Sequence, residues 1–104
     1  MKTITLDVGD FSLTPGGRYK AEGYFSGEEY RDSILLPALE RAEKVIVNLD
    51  RPHGFTSSFL EEVFGGIVRK LGKQALERVV PESPARPMRA AQAVAFMERE
   101  LKSK

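Results

Sequence analysis

"VIVNLDRPHGFTSSFLEEVFGGIVRKLG", residues 45–72, decides the fold of this 104-residue chain. Val45 to Leu49 form a short β-rich run with one polar member, Asn48, which reads as a central strand buried on both faces. Asp50 ends the run, and a short loop follows that carries the chain's single histidine, His53. Ser58 stands three residues before Glu61, a capping-box spacing that predicts a helix starting at that serine. Behind it Leu60, Val63, Phe64, Ile67, Val68 and Leu71 recur at three- and four-residue intervals and build one apolar face, with Gly72 as a natural stop. Gly65 and Gly66 lie inside this helix, where each costs about 1 kcal/mol relative to alanine. Close approach of the helix backbone to the sheet or to a second chain is the expected compensation.

Outward from this core, "TITLDV" (residues 3–8) alternates polar and apolar residues in the pattern of a half-buried strand. "TPGGRYKAEG" (14–23) reads as turn and loop, with at most a short edge strand around Arg18 to Ala21. Ser26, three residues before Glu29, predicts another helix, with Tyr30, Ile34, Leu35, Ala38 and Ala42 on its apolar face. Pro37 should kink or break it after Leu36. "ALERVV" (75–80) reads as a further strand ended by Pro81, and "ESPARP" as a linker. From about Pro87 a last helix carries Ala90, Val94, Met97 and Leu101 on one face. Met88, Ala91 and Phe96 lie off that line and offer a second surface. The element order predicts a single α/β domain over residues 1–104, a small sandwich with a mixed sheet of about four strands and helices packed on it. The crossover from Val45–Leu49 to Ala75–Val80 should be right-handed and make those strands parallel.

Composition narrows the function classes. Sixteen basic against fifteen acidic residues give a net charge of +1, which argues against a global field for nucleic acid or an anionic membrane. The absence of cysteine removes disulfides, thiolate nucleophiles and cysteine-based zinc sites, and one histidine rules out a poly-imidazole metal centre. No cofactor is expected. The N-terminus lacks a signal-peptide pattern and no apolar run approaches a membrane span, so the expectation is a soluble, cytoplasmic protein.

The chemistry-bearing residues concentrate in the loop after Asp50. Asp50, His53 and Ser57 or Ser58 have the types of a serine hydrolase triad, yet they crowd into nine residues and lack a G-x-S-x-G elbow. A strand end, an exposed loop histidine and capping serines explain the same residues without catalysis. A third reading treats the serines as a charge switch, because free N–H groups and the dipole at a helix start favour an added phosphate. Glu61 and Glu62 would oppose that charge. Elsewhere, "PGGR" reads as a plain turn, and Glu28-Glu29 as an ordinary acidic first turn. Arg69, Lys70, Lys73, Arg78, Arg86 and Arg89 could form a basic patch for nucleic acid, but no aromatic residues interleave them.

From Gly23 to Gly72 the chain resembles a prokaryotic family of unknown function described as STAS-like, after the domain shared by sulfate transporters and anti-sigma factor antagonists. "SGEEYR", "LLPAL" and "TSSFLEEVFGG" are the most specific segments. The resemblance implies a small α/β domain that works as a non-enzymatic regulatory module for protein–protein interaction. In the anti-sigma factor antagonists, a D-S-S-G-type motif at the corresponding helix start holds a serine phosphorylated by a partner kinase of the histidine-kinase ATPase type. The similar tetrapeptide here is Thr56-Ser57-Ser58-Phe59, which places the switch at Ser57, with Ser58 beside it. Thr56 and Phe59 depart from the motif's aspartate and glycine. Asp50, His53, Thr56, Phe59 and Glu62 are then the expected partner-binding loop and helix, and a homodimer through the glycine-bearing helix is a structural alternative.

Overall fold

The computed structural model describes residues 2–103. Strands β1 (Thr3–Asp7), β2 (Lys44–Asn48) and β3 (Val79–Glu82) form a three-stranded sheet in the order β1-β2-β3. Both pairings are parallel, with Thr5 opposite Ile46 and Ile46 opposite Val80. The sheet is therefore smaller and more uniform than the expected mixed, four-stranded one. Lys20–Glu22, where an edge strand had room to form, is instead a turn of 3₁₀-helix.

Five helices accompany the strands. A short α1 (Val8–Phe11) follows β1 directly, with Asp7 accepting from the Gly9 N–H as its cap. Helix α2 runs through Gly27–Tyr30, a π-helical turn at Arg31–Leu35, and Leu36–Arg41. Helix α3 runs through Ser57–Leu60, a second π-helical turn at Glu61–Gly65, and Gly66–Leu71. Then come α4 (Gln74–Arg78) and α5 (Pro87–Lys102).

Of the kink or break expected at Pro37, the break does not occur: α2 continues through it. The wider π turn immediately before it relaxes the i→i−4 ladder where the proline lacks an N–H and its ring would crowd a carbonyl. Segment 75–80 also differs from its reading. Its first part is α4, and β3 begins only at Val79 and continues through Pro81. A proline fits there because β3 is an edge strand, with β2 as its one strand partner.

Burial alternates along β2: Val45 and Val47 are buried, whereas Lys44 is exposed and Ile46 and Asn48 are half-buried. One face of the sheet thus packs on the helices, and the other, with Thr5, Ile46 and Val80 in one row, stays partly open. The core joins Val45, Val47, Leu49 and Val79 to Leu35, Ala38 and Leu39 of α2. Phe59, Leu60, Val63, Phe64, Ile67 and Val68 of α3 complete it, with Ala93 and Met97 of α5. Gly72 ends α3 at φ 72°, and its N–H bonds the Val68 carbonyl at 2.7 Å.

Within the chain, the glycine doublet meets charged side chains and not the sheet. A Cβ on Gly66 would come within 2.7 Å of the Arg31 guanidinium, and one on Gly65 would collide with the Glu61 carboxylate. The glycines clear space for ion pairs that join α2 to α3. Arg31 of α2 pairs with Glu62 of α3, and both residues are buried, at 7% and 6% exposure. Arg18 pairs with Glu61 and Glu62, and Arg69 links Glu61 (2.7 Å) to Glu100 of α5 (2.6 Å).

Candidate partner-binding surface at the start of the third helix

The loops that follow the parallel strands meet at one end of the sheet. His53 donates its backbone N–H to the Leu13 carbonyl at 2.8 Å, and Thr56 donates its hydroxyl to the Gly16 carbonyl at 3.3 Å. The loop after β1 is thereby tied to the loop after β2. On the other side, Asp50 accepts from the Ser83 hydroxyl at 2.6 Å and from the Ala85 N–H at 3.2 Å, which fixes the loop after β3.

Arg89 of α5 closes this arrangement. Its guanidinium donates to the carbonyls of Leu49 and Pro52, each at 2.7 Å, and to His53 at 3.3 Å. It also lies 4.9 Å from the centre of the Phe55 ring, a cation–π contact. Burial, reinforced by the nearby Arg86 charge, lowers its pKa. Sequence reasoning placed Arg89 in a basic patch, because no local pattern signals that a side chain forty residues away will gather carbonyls of the loop after β2.

The first turn of α3 is capped by Thr56, one residue before the helix. Its Oγ1 accepts from the Phe59 N–H at 3.0 Å. This corrects the capping box placed at Ser58 and Glu61: the cap lies two residues earlier. Ser57 is the first helical residue and is exposed, Ser58 is half-buried, and neither hydroxyl has a hydrogen-bond partner among the described residues. Glu61 and Glu62 consequently lie in the second turn and not the first. Arg18, Arg31 and Arg69 pair with them, so little free negative charge opposes a phosphate at Ser57. Hydrogen bonding from Arg69, with help from Arg18, holds the Glu61 carboxyl below the usual carboxylate range.

The expected site residues divide between surface and interior. His53, Thr56 and Ser57 are exposed, and Asp50 is half-buried against Ser83. Phe59 is fully buried, stacked on Phe55 at 5.6 Å, and Glu62 is buried in its ion pairs. Those two side chains support the surface from beneath. Among the described residues no hydrogen bond links Asp50 to His53, or His53 to either serine, so the triad arrangement is not formed.

Residues 26–83 match the family described as the STAS-like domain of unknown function, a span of more than half the chain. The chain belongs to the STAS-like domain family. No curated protein and no solved structure gives a significant match. The matched span opens on Ser26, whose side chain accepts from the Glu29 N–H at 3.1 Å to cap α2, and closes on Ser83, the partner of Asp50. β1, α1 and α5 lie outside it. This STAS-like domain thus has its central strand, both long crossover helices and the Thr56–Ser58 helix start within the family region.

Three of the six basic residues of the expected patch, Arg69, Arg78 and Arg89, are engaged within the fold. Arg78 donates to the carbonyls of Leu39, Ala42 and Glu43, capping the end of α2, while Arg69 and Arg89 hold the groups named above. Among the described residues no group of three or more histidine, aspartate or glutamate side chains is arranged for a metal ion, and no helix is long and apolar enough to cross a membrane.

Proposed function

We propose that this STAS-like domain is a non-enzymatic regulatory module that binds a protein partner through the 50–58 loop and the start of α3, switched by phosphorylation at Ser57. A kinase of the histidine-kinase ATPase type is the proposed modifying partner. The observation that carries this reading is the division of labour between Thr56 and Ser57. Thr56 performs the capping role, which aspartate fills equally well in other helices, so the Ser57 hydroxyl is exposed and uncommitted. A phosphate there would add close to two negative charges at the positive end of a long helix. Ion pairing of Glu61 and Glu62 supports the reading by lowering the local repulsion.

The test combines intact-mass analysis of the protein isolated from its native host with partner capture by the wild type, Ser57→Ala and Ser57→Asp. A mass increase of one phosphate that Ser57→Ala abolishes, and a partner retained by one variant and released by the other, is the expected result. Absence of phosphate together with equal capture by both variants would remove the switch. A partner captured by the wild type but lost in His53→Ala would still support the binding surface.

A further inference from the structure

The two edges of the sheet are built differently. The Glu82 carbonyl accepts from the Leu49 N–H at 2.9 Å, so Glu82 and Val80 turn their main-chain groups toward β2. Pro81 between them faces outward, where it presents no N–H to a further strand. At the other edge the Lys2 carbonyl accepts from the N–H groups of Glu43 at 3.1 Å and Lys44 at 3.4 Å. Main-chain direction alternates along a strand, so Ile4 and Leu6 also bond toward β2, whereas Thr3 and Thr5 point both N–H and C=O away from the sheet. Both threonines are exposed, and β2 is the one strand partner of β1. Such a row of outward donors and acceptors is a template for another strand.

Packing on the helix side is also incomplete at this edge. Val45, Val47 and Val79 are at most 2% exposed, but Ile4 and Leu6, which face the same helices from β1, are only half-buried, as are Phe11 and Ile34. A cavity of about 170 Å³ lies beside the strand, with Leu6, Phe11, Ile34, Asp7 and Asp10 among its lining residues. Charge is polarised from one end of β1 to the other. Exposed Lys2 precedes the strand, and Asp7 and Asp10 stand at its far end, where Arg51 is shared between them at 3.1 and 2.7 Å. Two copies of this edge attract one another when they run antiparallel, because each lysine then meets the acidic end of the other. A parallel pairing would set like charges side by side.

We propose that β1 pairs antiparallel with β1 of a second copy of this chain, joining two three-stranded sheets into one continuous sheet. Ile4 lies beside Ile4 of the second copy on the two-fold axis, and Thr3 and Thr5 exchange N–H···O bonds with Thr5 and Thr3 of that copy. This register satisfies every outward group of the two threonines and keeps the apolar side chains of both copies on the helix side. Lys2 of one copy falls opposite Leu6 of the other, its stem over the cavity and its ammonium toward Asp7 and Asp10. The interface shares no residue with the Ser57 reading and stands if that reading fails.

The chain has no cysteine, so one substitution supplies its only thiol. Ile4→Cys should cross-link into a dimer under mild oxidation, since directly opposed residues of a non-hydrogen-bonded pair have Cα atoms about 4.5 Å apart. Leu6→Cys should not, because its counterpart lies four residues further along, about 13 Å away. Sedimentation equilibrium of the unmodified chain should show monomer passing to dimer as concentration rises. Lys2→Glu, at an exposed position, should weaken the dimer about tenfold, and adding Asp10→Lys should restore it. A chain that stays monomeric at every concentration, which leaves β1 to a strand of another protein, overturns the proposal. So does a dimer that Lys2→Glu leaves unchanged, or one in which Leu6→Cys cross-links as fast as Ile4→Cys.

Discussion

Arg31 of α2 and Glu62 of α3 form a buried ion pair directly over Gly66, at the level where both helices make a π turn. Taking two charges out of water is costly, and their mutual attraction offsets that only while both are present. Glu62→Gln should therefore destabilise the domain by about 3 kcal/mol or more, whereas Arg31→Met combined with Glu62→Leu should cost much less. Urea denaturation of Glu62→Gln and of the double mutant measures the difference.

The two adjacent glycines should respond in opposite ways. A Cβ on Gly66 meets the guanidinium of Arg31, which its buried pair holds in place, so Gly66→Ala should destabilise despite its better helix propensity. A Cβ on Gly65 meets the Glu61 carboxylate and, at 3.4 Å, the Arg69 guanidinium, two partly exposed side-chain ends that can shift together. Gly65→Ala should then be neutral, or stabilising by up to about 1 kcal/mol. Thermal melts of both variants decide this.

The cap of α3 separates Thr56 from Ser58. Loss of the Thr56 oxygen strands the Phe59 N–H, so Thr56→Ala should cost about 1 kcal/mol, while Ser58→Ala should stay within about 0.5 kcal/mol. Equal costs in chemical denaturation would restore the cap to Ser58.

Arg89 ties α5 to the loop after β2. Arg89→Met keeps the aliphatic stem but leaves the Leu49 and Pro52 carbonyls without their donor, for a loss of about 1–3 kcal/mol. The loss should be local: hydrogen exchange should quicken at residues 50–56 well before it does in β2. Uniform quickening through the core would mean that α5 does more than position the loop.

Glu61 has a defined acid signature. Its folded pKa is depressed by Arg69 and Arg18, so its contribution to stability is fully present above the unfolded-state value and disappears as pH falls through the folded one. The denaturation midpoint should fall below about pH 4.5. Glu61→Gln should show a lower midpoint at pH 7 and a flatter decline from pH 5 to pH 3 than the wild type.

Local pattern carried a good part of this fold. The strands at residues 3–7 and 44–48, the long helices on either side of β2 and the stop at Gly72 follow from periodicity and glycine chemistry, because each depends on neighbours within a few residues. The parallel partnership of β2 and β3 followed from the crossover between them. Residue order along one helix could not reveal what lies across from it. The glycine doublet signalled close approach, but that an arginine from α2 fills the space was set by how two helices cross. The continuous helix through Pro37 was likewise decided by a π turn that no sequence period announces. At the candidate surface, the sequence singled out Ser57 by residue type, whereas tertiary contacts turned Asp50 to Ser83, buried Phe59 and Glu62, and brought Arg89 onto the loop. Sequence determined which residues could do chemistry; packing decided which of them face solvent, because burial depends on partners distant along the chain.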